Sequence, residues 1–334
     1  MAAKVYSTAK TPFCSPILSG PSELVNATKP STIRLPEIRS VMGVDFSGAA
    51  LSGKTAWCAQ MRPIGVCADG LPRLRLDSLD RLGRLAGEDR REAVCGYLVD
   101  RISGGEKTFW GCDFPFGLPI ELQLGDWPSQ LEHVAEFSRD QGFAGIQGRS
   151  SVGAKDYGRH LVKLTQQRVS TMHTRRDTDR ETQTPFDCYH YRIIYQTYHG
   201  MKDVLAPLAG RSDVAVLPFQ YERLRSRKPV SRLVVEACPS STLKRLGLPH
   251  QRYKQSGGKP PEAIHKRTRQ VILKTITRWV ELTPYRRRVI MNDSGGDALD
   301  AVLAGLGSWQ DWAAADHQHL AGHHRYPVEG RVYA

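Results

Sequence analysis

Long apolar runs are missing from this chain. No stretch approaches the roughly 18 residues of a membrane-spanning helix, so no membrane partner is expected. Paired cysteines are missing as well. The seven cysteines are odd in number and none has C-x-x-C spacing, which argues against a zinc ribbon or a disulfide scaffold. Several sit in apolar strand-like segments, where cysteine acts as a small hydrophobe, and a reducing, cytoplasmic setting fits them best. Neither G-x-S-x-G nor H-E-x-x-H occurs, which removes the nucleophile-elbow and zincin patterns. Acidic residues are scarce in one region. Between Glu222 and Arg288 there are 18 Lys plus Arg against four Glu and no Asp, a local charge of +14 in a chain of formal charge +13. The remainder is therefore near neutral, and a basic segment this concentrated suits a polyanion such as nucleic acid.

What is present suffices for a globular protein. With 334 residues, 40% of them hydrophobic, the chain can build the core of one large or two ordinary domains. Residues 1–38 are rich in Ser, Thr and Pro and have no apolar h-region, which predicts a disordered tail rather than a secretory signal. Val41–Phe46, Thr55–Met61 and Arg73–Leu76 read as three antiparallel strands. Helical spacing over Glu88–Ile102 and a strand at Thr108–Asp113 follow. The stretch 119–210 is mostly polar and reads as a helical insertion. Asp213–Phe219 and Leu233–Glu236 read as strands, Glu262–Leu282 as a basic amphipathic helix, and Gly296–Trp309 as a small-residue helix. Residues 313–334, with His317, His319, His323 and His324, read as a loose tail. The whole is an α/β domain over 39–312.

Five acids carry the chemistry. Asp45, Asp113 and Glu236 each close a short apolar run, so each is delivered to the end of a strand. A carboxylate there is costly without a cation or donors. Asp297 and Asp300 lie three apart on one helix face, and Ala298, Ala301 and Ala304 would let that helix sit close to a sheet. Clustered carboxylates suit Mg²⁺ or Mn²⁺, and two such ions stabilise the attacking and leaving oxygens of phosphodiester cleavage.

A second motif overlaps the first strand. Gly48–Thr55 satisfies G-x-x-x-x-G-K-[ST], the phosphate-loop pattern, which would make the chain a nucleotide-dependent phosphotransferase. That loop needs a helix directly after Lys54-Thr55. The residues that follow look like a strand, so a hairpin turn is the expectation. Arg175 and Arg176, with Phe186 and Tyr189–Arg192 downstream, could hold phosphates and stack bases. Lys244, Lys254, Lys266 and Arg267 would add backbone contacts. A nucleic-acid-binding protein without catalysis is the other alternative.

In order along the chain stand Gly43-Val-Asp-Phe-Ser-Gly-Ala49, Asp113-Phe-Pro-Phe-Gly-Leu-Pro119, Arg175-Arg-Asp-Thr-Asp179, Thr184-Pro-Phe186, Gln196-Thr-Tyr-His-Gly200 and Val204-Leu-Ala-Pro-Leu208. Glu236-Ala-Cys-Pro-Ser-Ser-Thr-Leu-Lys244 and Gly296-Asp-Ala-Leu-Asp300 follow. As a set they resemble the family called domain of unknown function 429, described as predicted RNase H-like nucleases, over about residues 41–310. The resemblance implies an RNase H-like core: a mixed five-stranded sheet, its first three strands antiparallel, flanked by helices. It also implies a metal-dependent phosphodiesterase site like that of Holliday-junction resolvases. Asp45, Glu236, Asp297 and Asp300 match the resolvase roles, and Asp113 matches the family's own Asp-Phe-Pro position. The expected protein is a Mg²⁺- or Mn²⁺-dependent nuclease in which all five acids hold metal.

Overall fold

The computed structural model describes residues 32–105, 107–140, 153–255 and 257–334. Most of the expected N-terminal tail, residues 1–31, lies outside the described residues, as does 141–152 within the insertion.

Eight strands form one mixed sheet: β1 (Ser40–Asp45), β2 (Trp57–Val66), β3 (Pro72–Arg81), β4 (Thr108–Asp113), β5 (Val214–Leu217), β6 (Arg232–Ala237), β7 (Val280–Glu281) and β8 (Val332–Tyr333). Their order is β5-β6-β4-β1-β2-β3-β7, and β8 continues the β5 edge by pairing with β6. The first three strands are antiparallel neighbours, while β4 runs parallel to β1, and β6 parallel to β4.

Both faces of the sheet are covered, so the central strands read as continuous apolar runs. Alternation still decides which side each residue serves. Val41 on β1 and Phe109 on β4 join one core, with Leu299 and Val302 of the Asp297–Ala314 helix. Met42, Val44, Trp110 and Cys112 join the other, with Val94, Leu98 and Ile102 of the Arg91–Gly104 helix. The insertion between β4 and β5 supplies helices Trp127–Asp140, Ala154–Val169, Asp177–Glu181 and Ile194–His199. Its Trp127, Leu131, Tyr157 and Tyr198 pack into this second core, so it is no separate domain.

The Asp297–Ala314 helix touches the sheet through glycine. A Cβ at Gly43 would run into the Ala301 carbonyl and the Gly305 amide, and one at Gly111 would lie 2.6 Å from the Ala304 carbonyl. This contact sets the height of the helix over β1 and β4, and with it the position of Asp297 and Asp300. Gly43→Ala is therefore expected to destabilise the fold by about 1–3 kcal/mol, as overpacking does. The check is a lower denaturant midpoint at unchanged slope.

The hairpin turn expected at Gly48–Thr55 is found, and two other expectations change. The Gly48–Thr55 motif leads through a three-residue 3₁₀ turn, Ser52–Lys54, into β2, which pairs antiparallel with β1. No α-helix N-terminus follows Lys54, so the phosphate-loop reading, and the phosphotransferase with it, loses its structural basis. The basic helix ends at Ile276, and Val280 belongs to β7 on the β3 edge. The His-rich segment is not loose. Helices His317–Gly322 and Tyr326–Glu329 lead into β8, and Leu320, Tyr326, Val332 and Tyr333 are buried. The reason is that β5 stops opposite Val235 and leaves Glu236–Ala237 with an open edge, which β8 fills. Among the described residues, no helix is long and apolar enough to cross a membrane.

Candidate metal centre

Asp45 and Asp113 are register partners on parallel strands, so both leave the sheet at one level and on one face. That is the face covered by the Asp297–Ala314 helix, which brings Asp300 down onto them. Carboxylate oxygens of Asp45, Asp113 and Asp300 all lie within 4.8 Å of one another. Asp297 and Asp300 occupy the first turn of their helix, where the helix dipole favours negative charge. Gly296 starts that helix at φ 79°, and the Asp293 carboxylate accepts from the Ala298 amide at 3.1 Å.

Two residues of a preceding loop complete the cluster. The Tyr253 hydroxyl donates to Asp300 Oδ1 at 2.8 Å. Lys254 Nζ is ion-paired with Asp300 Oδ2 and stands 4.0 Å from Asp297 Oδ1. Arg269 holds the loop in place. Its buried guanidinium donates to the Tyr253 carbonyl at 2.7 Å and to the carbonyls of Ile290, Met291 and Ser294.

The electrostatics show too little positive charge. Burial, then the Asp300 carboxylate, pushes the Asp113 carboxyl up to about 8. Burial raises Asp45 well above the ordinary aspartate range, and its carboxylate neighbours add to this against the relief from Lys254. Burial also raises Asp297 to about 6. Desolvation works against the charge on Lys254, whose side chain is still 47% exposed, and Asp300, Tyr253, Asp45 and Asp297 together hold its ammonium well above the usual range. One ammonium thus serves several carboxylates. A hard divalent cation fits this all-oxygen donor set.

Glu236 lines the same cavity but stands outside the triad. Its register partner on β4 is Cys112, not Asp113, so its side chain leaves the sheet on the opposite face. There Arg176 donates to both its oxygens, at 2.6 and 2.8 Å, and the Phe116 amide donates at 2.9 Å. The structure brings together Asp45, Asp113 and Asp300, with Asp297 beside Lys254, and does not bring Glu236 into that group.

The expected phosphate-binding residues divide similarly. Arg176 is 1% exposed and its donors go to Asp179, Glu236 and the Gly117 and Glu329 carbonyls. It cannot also grip a backbone, so that expectation is corrected: Arg176 is a buried strut. Arg175 donates to the carbonyls of Thr184 and Pro185, and Lys244 to that of Gln183. Lys254 belongs to the acid cluster. Lys266 and Arg267 are exposed on the Ala263–Ile276 helix.

A cavity of about 620 Å³ opens over the acids. Asp45, Asp113 and Asp300 line it together with Phe186, Arg192 and Arg252. No family model, no curated protein and no solved structure matches this chain. The functional reading therefore rests on the site.

Sequence reasoning missed Tyr253 and Arg269. Tyr253 carries no periodic signal, since it lies in a loop. Arg269 had one: it falls on the helical stripe of Ile272 and Ile276, an arginine on a buried face.

Proposed function

We propose that this protein is a Mg²⁺- or Mn²⁺-dependent nuclease with an RNase H-like core, related to the domain of unknown function 429 family. The observation that carries the reading is the convergence of Asp45, Asp113 and Asp300 within 4.8 Å at the end of the central strands. The strand order β3-β2-β1-β4-β6, with its first three members antiparallel, supports the RNase H-like assignment. Asp45, Asp113 and Asp300 would hold the ion, with Asp297 adjacent. A bound divalent ion would supply Lewis-acid stabilisation of charge on phosphoryl oxygens.

The chain's own residues do the rest. Tyr253 fixes the Asp300 carboxylate by its hydrogen bond. Lys254 neutralises part of the cluster and lines the cavity in which a phosphate would lie. Lys266 and Arg267 offer exposed charge for a nucleic-acid backbone, and such binding should weaken steeply with salt. A cytoplasmic setting accords with the six described cysteines, all free thiols.

The test incubates purified protein with labelled single-stranded, duplex and branched nucleic acids plus Mg²⁺ or Mn²⁺, beside Asp45→Asn. Cleavage by the parent and none by the variant is expected. Equal behaviour of the two proteins across the panel sinks the nuclease reading, and binding without cleavage under either ion would favour the non-catalytic alternative.

A further inference from the structure

The cavity wall holds a feature that metal chemistry alone does not require. The Phe186 ring stacks on His190, with centroids 4.5 Å apart and planes 16° apart, and the Arg192 guanidinium lies 5.5 Å from the Phe186 centroid. Phe186 is half-buried and lines the cavity above the acids. Its backbone is fixed from several sides. The Thr184 hydroxyl donates to the Phe186 carbonyl at 2.9 Å, and Arg175 ties down the Thr184 and Pro185 carbonyls. His173 pairs with Asp187 at 3.2 Å and stacks on Tyr189. An aromatic ledge held this firmly is suited to a flat ligand.

The charge beside it is unclaimed. Among the described residues, neither Arg192 nor Arg252 has a carboxylate partner, and both line the cavity; the Arg192 guanidinium donates only to the Tyr191 hydroxyl, at 3.2 Å. Arg252 is held at φ 59°, a left-handed conformation uncommon in a non-glycine residue. The cavity thus offers an aromatic ledge, two guanidinium groups without a carboxylate partner among the described residues, and a carboxylate cluster that suits a divalent cation. Its volume, about 620 Å³, falls in the small-ligand range of roughly 300–1,000 Å³. That is room for one or two nucleotides and not for a double helix.

We propose that the cavity takes a single unpaired nucleotide unit, its base on the Phe186 ledge and its phosphates facing Arg192 and Arg252. The substrate class is then a single strand, a strand end or an extruded nucleotide, and an intact duplex is excluded. The inference rests on the nuclease reading for the reaction that follows, but binding can be measured without it.

The experiment uses Ca²⁺ in place of Mg²⁺ and follows fluorescence anisotropy of an end-labelled single-stranded oligonucleotide. A mononucleotide and the same strand annealed to its complement serve as competitors. The single strand should bind and the mononucleotide should displace it, and the duplex should compete at least tenfold less well. Phe186→Ala should weaken single-strand binding by about tenfold, the scale of one lost base stack, and Phe186→Trp should restore it. Arg192→Ala, at an exposed position, should weaken it at an unchanged thermal midpoint. A duplex that competes as well as the single strand overturns the proposal, as does a silent Phe186→Ala or the absence of binding by every probe. Cleavage by the parent with a silent Phe186→Ala would remove the ledge and leave the nuclease standing. Phe186-dependent binding without cleavage would remove the nuclease and leave the ledge.

Discussion

Arg176→Met is expected to destabilise the protein by about 3–5 kcal/mol, measured as a drop in chemical-denaturation midpoint. The side chain is 1% exposed and pairs with two carboxylates, Asp179 and Glu236, that are buried with it. Methionine fills much of the same volume, so the loss is not chiefly a cavity. It arises because, among the described residues, Glu236 keeps only the Phe116 amide and Asp179 chiefly the Arg176 amide as donors, with no other ion-pair partner for either. Exposed pairs on this protein, such as Arg90–Glu88, belong to the class worth 0 to about 1 kcal/mol. A loss below about 1 kcal/mol for Arg176→Met would place the buried pair in that class and refute the argument. Glu236→Gln combined with Arg176→Met should recover part of the loss, because it removes the stranded charge.

The metal-free protein should lose stability as pH rises from about 4 to about 8, and Mn²⁺ should restore it most at the upper end. Unfolded aspartate titrates near 3.9. In the fold Asp297 is raised to about 6 and Asp113 to about 8. A raised folded value means that the native state holds the proton more tightly. The associated stability is complete below about pH 4 and is lost as pH climbs through those two values. Metal needs the ionised carboxylates, so its stabilisation grows over the same window, reaching about 2.7 kcal/mol at a hundredfold excess over the dissociation constant. Thermal scans at pH 5 and pH 8, with and without Mn²⁺, check both signs. Asp45→Asn should raise the metal-free midpoint at pH 8, because one of the crowded carboxylates is gone, and should abolish the Mn²⁺ increment. A metal-free midpoint that rises with pH, or an equal Mn²⁺ shift at both values, would refute this account.

Much of this site was legible in the sequence, for identifiable reasons. Asp45 and Asp113 follow short apolar runs that stop at turn signals, and that pattern fixes a strand end. Asp297 and Asp300 are three apart among alanines, and that pattern fixes a helix face able to approach a sheet. The same kind of signal singled out Glu236 and does not reveal its side. Leu233, Val234 and Val235 are all buried, so β6 shows no polar alternation to mark its faces, and only pairing with β4 sets its parity. Arg176 looks like a phosphate ligand because its sign is right. Its burial depends on Glu236, which is distant in sequence, and on Asp179 one turn away. Lys254 also had the right sign, but its partners are the acids. β8, at two residues, is too short for any periodic pattern, so the docking of residues 313–334 could not be read.

The parity of β6 has a consequence for how such a site could change. A carboxylate at the end of a buried strand arrives on one face or the other by the count of residues before it, not by their identity. One residue gained or lost ahead of Glu236 would exchange the two networks at a stroke. Arg176 would be stranded, and the metal face would receive a fifth acid beside Asp45, Asp113, Asp297 and Asp300. Point substitutions cannot make that exchange, so a lineage with this register and one with the opposite register would be separated by an indel rather than by gradual replacement.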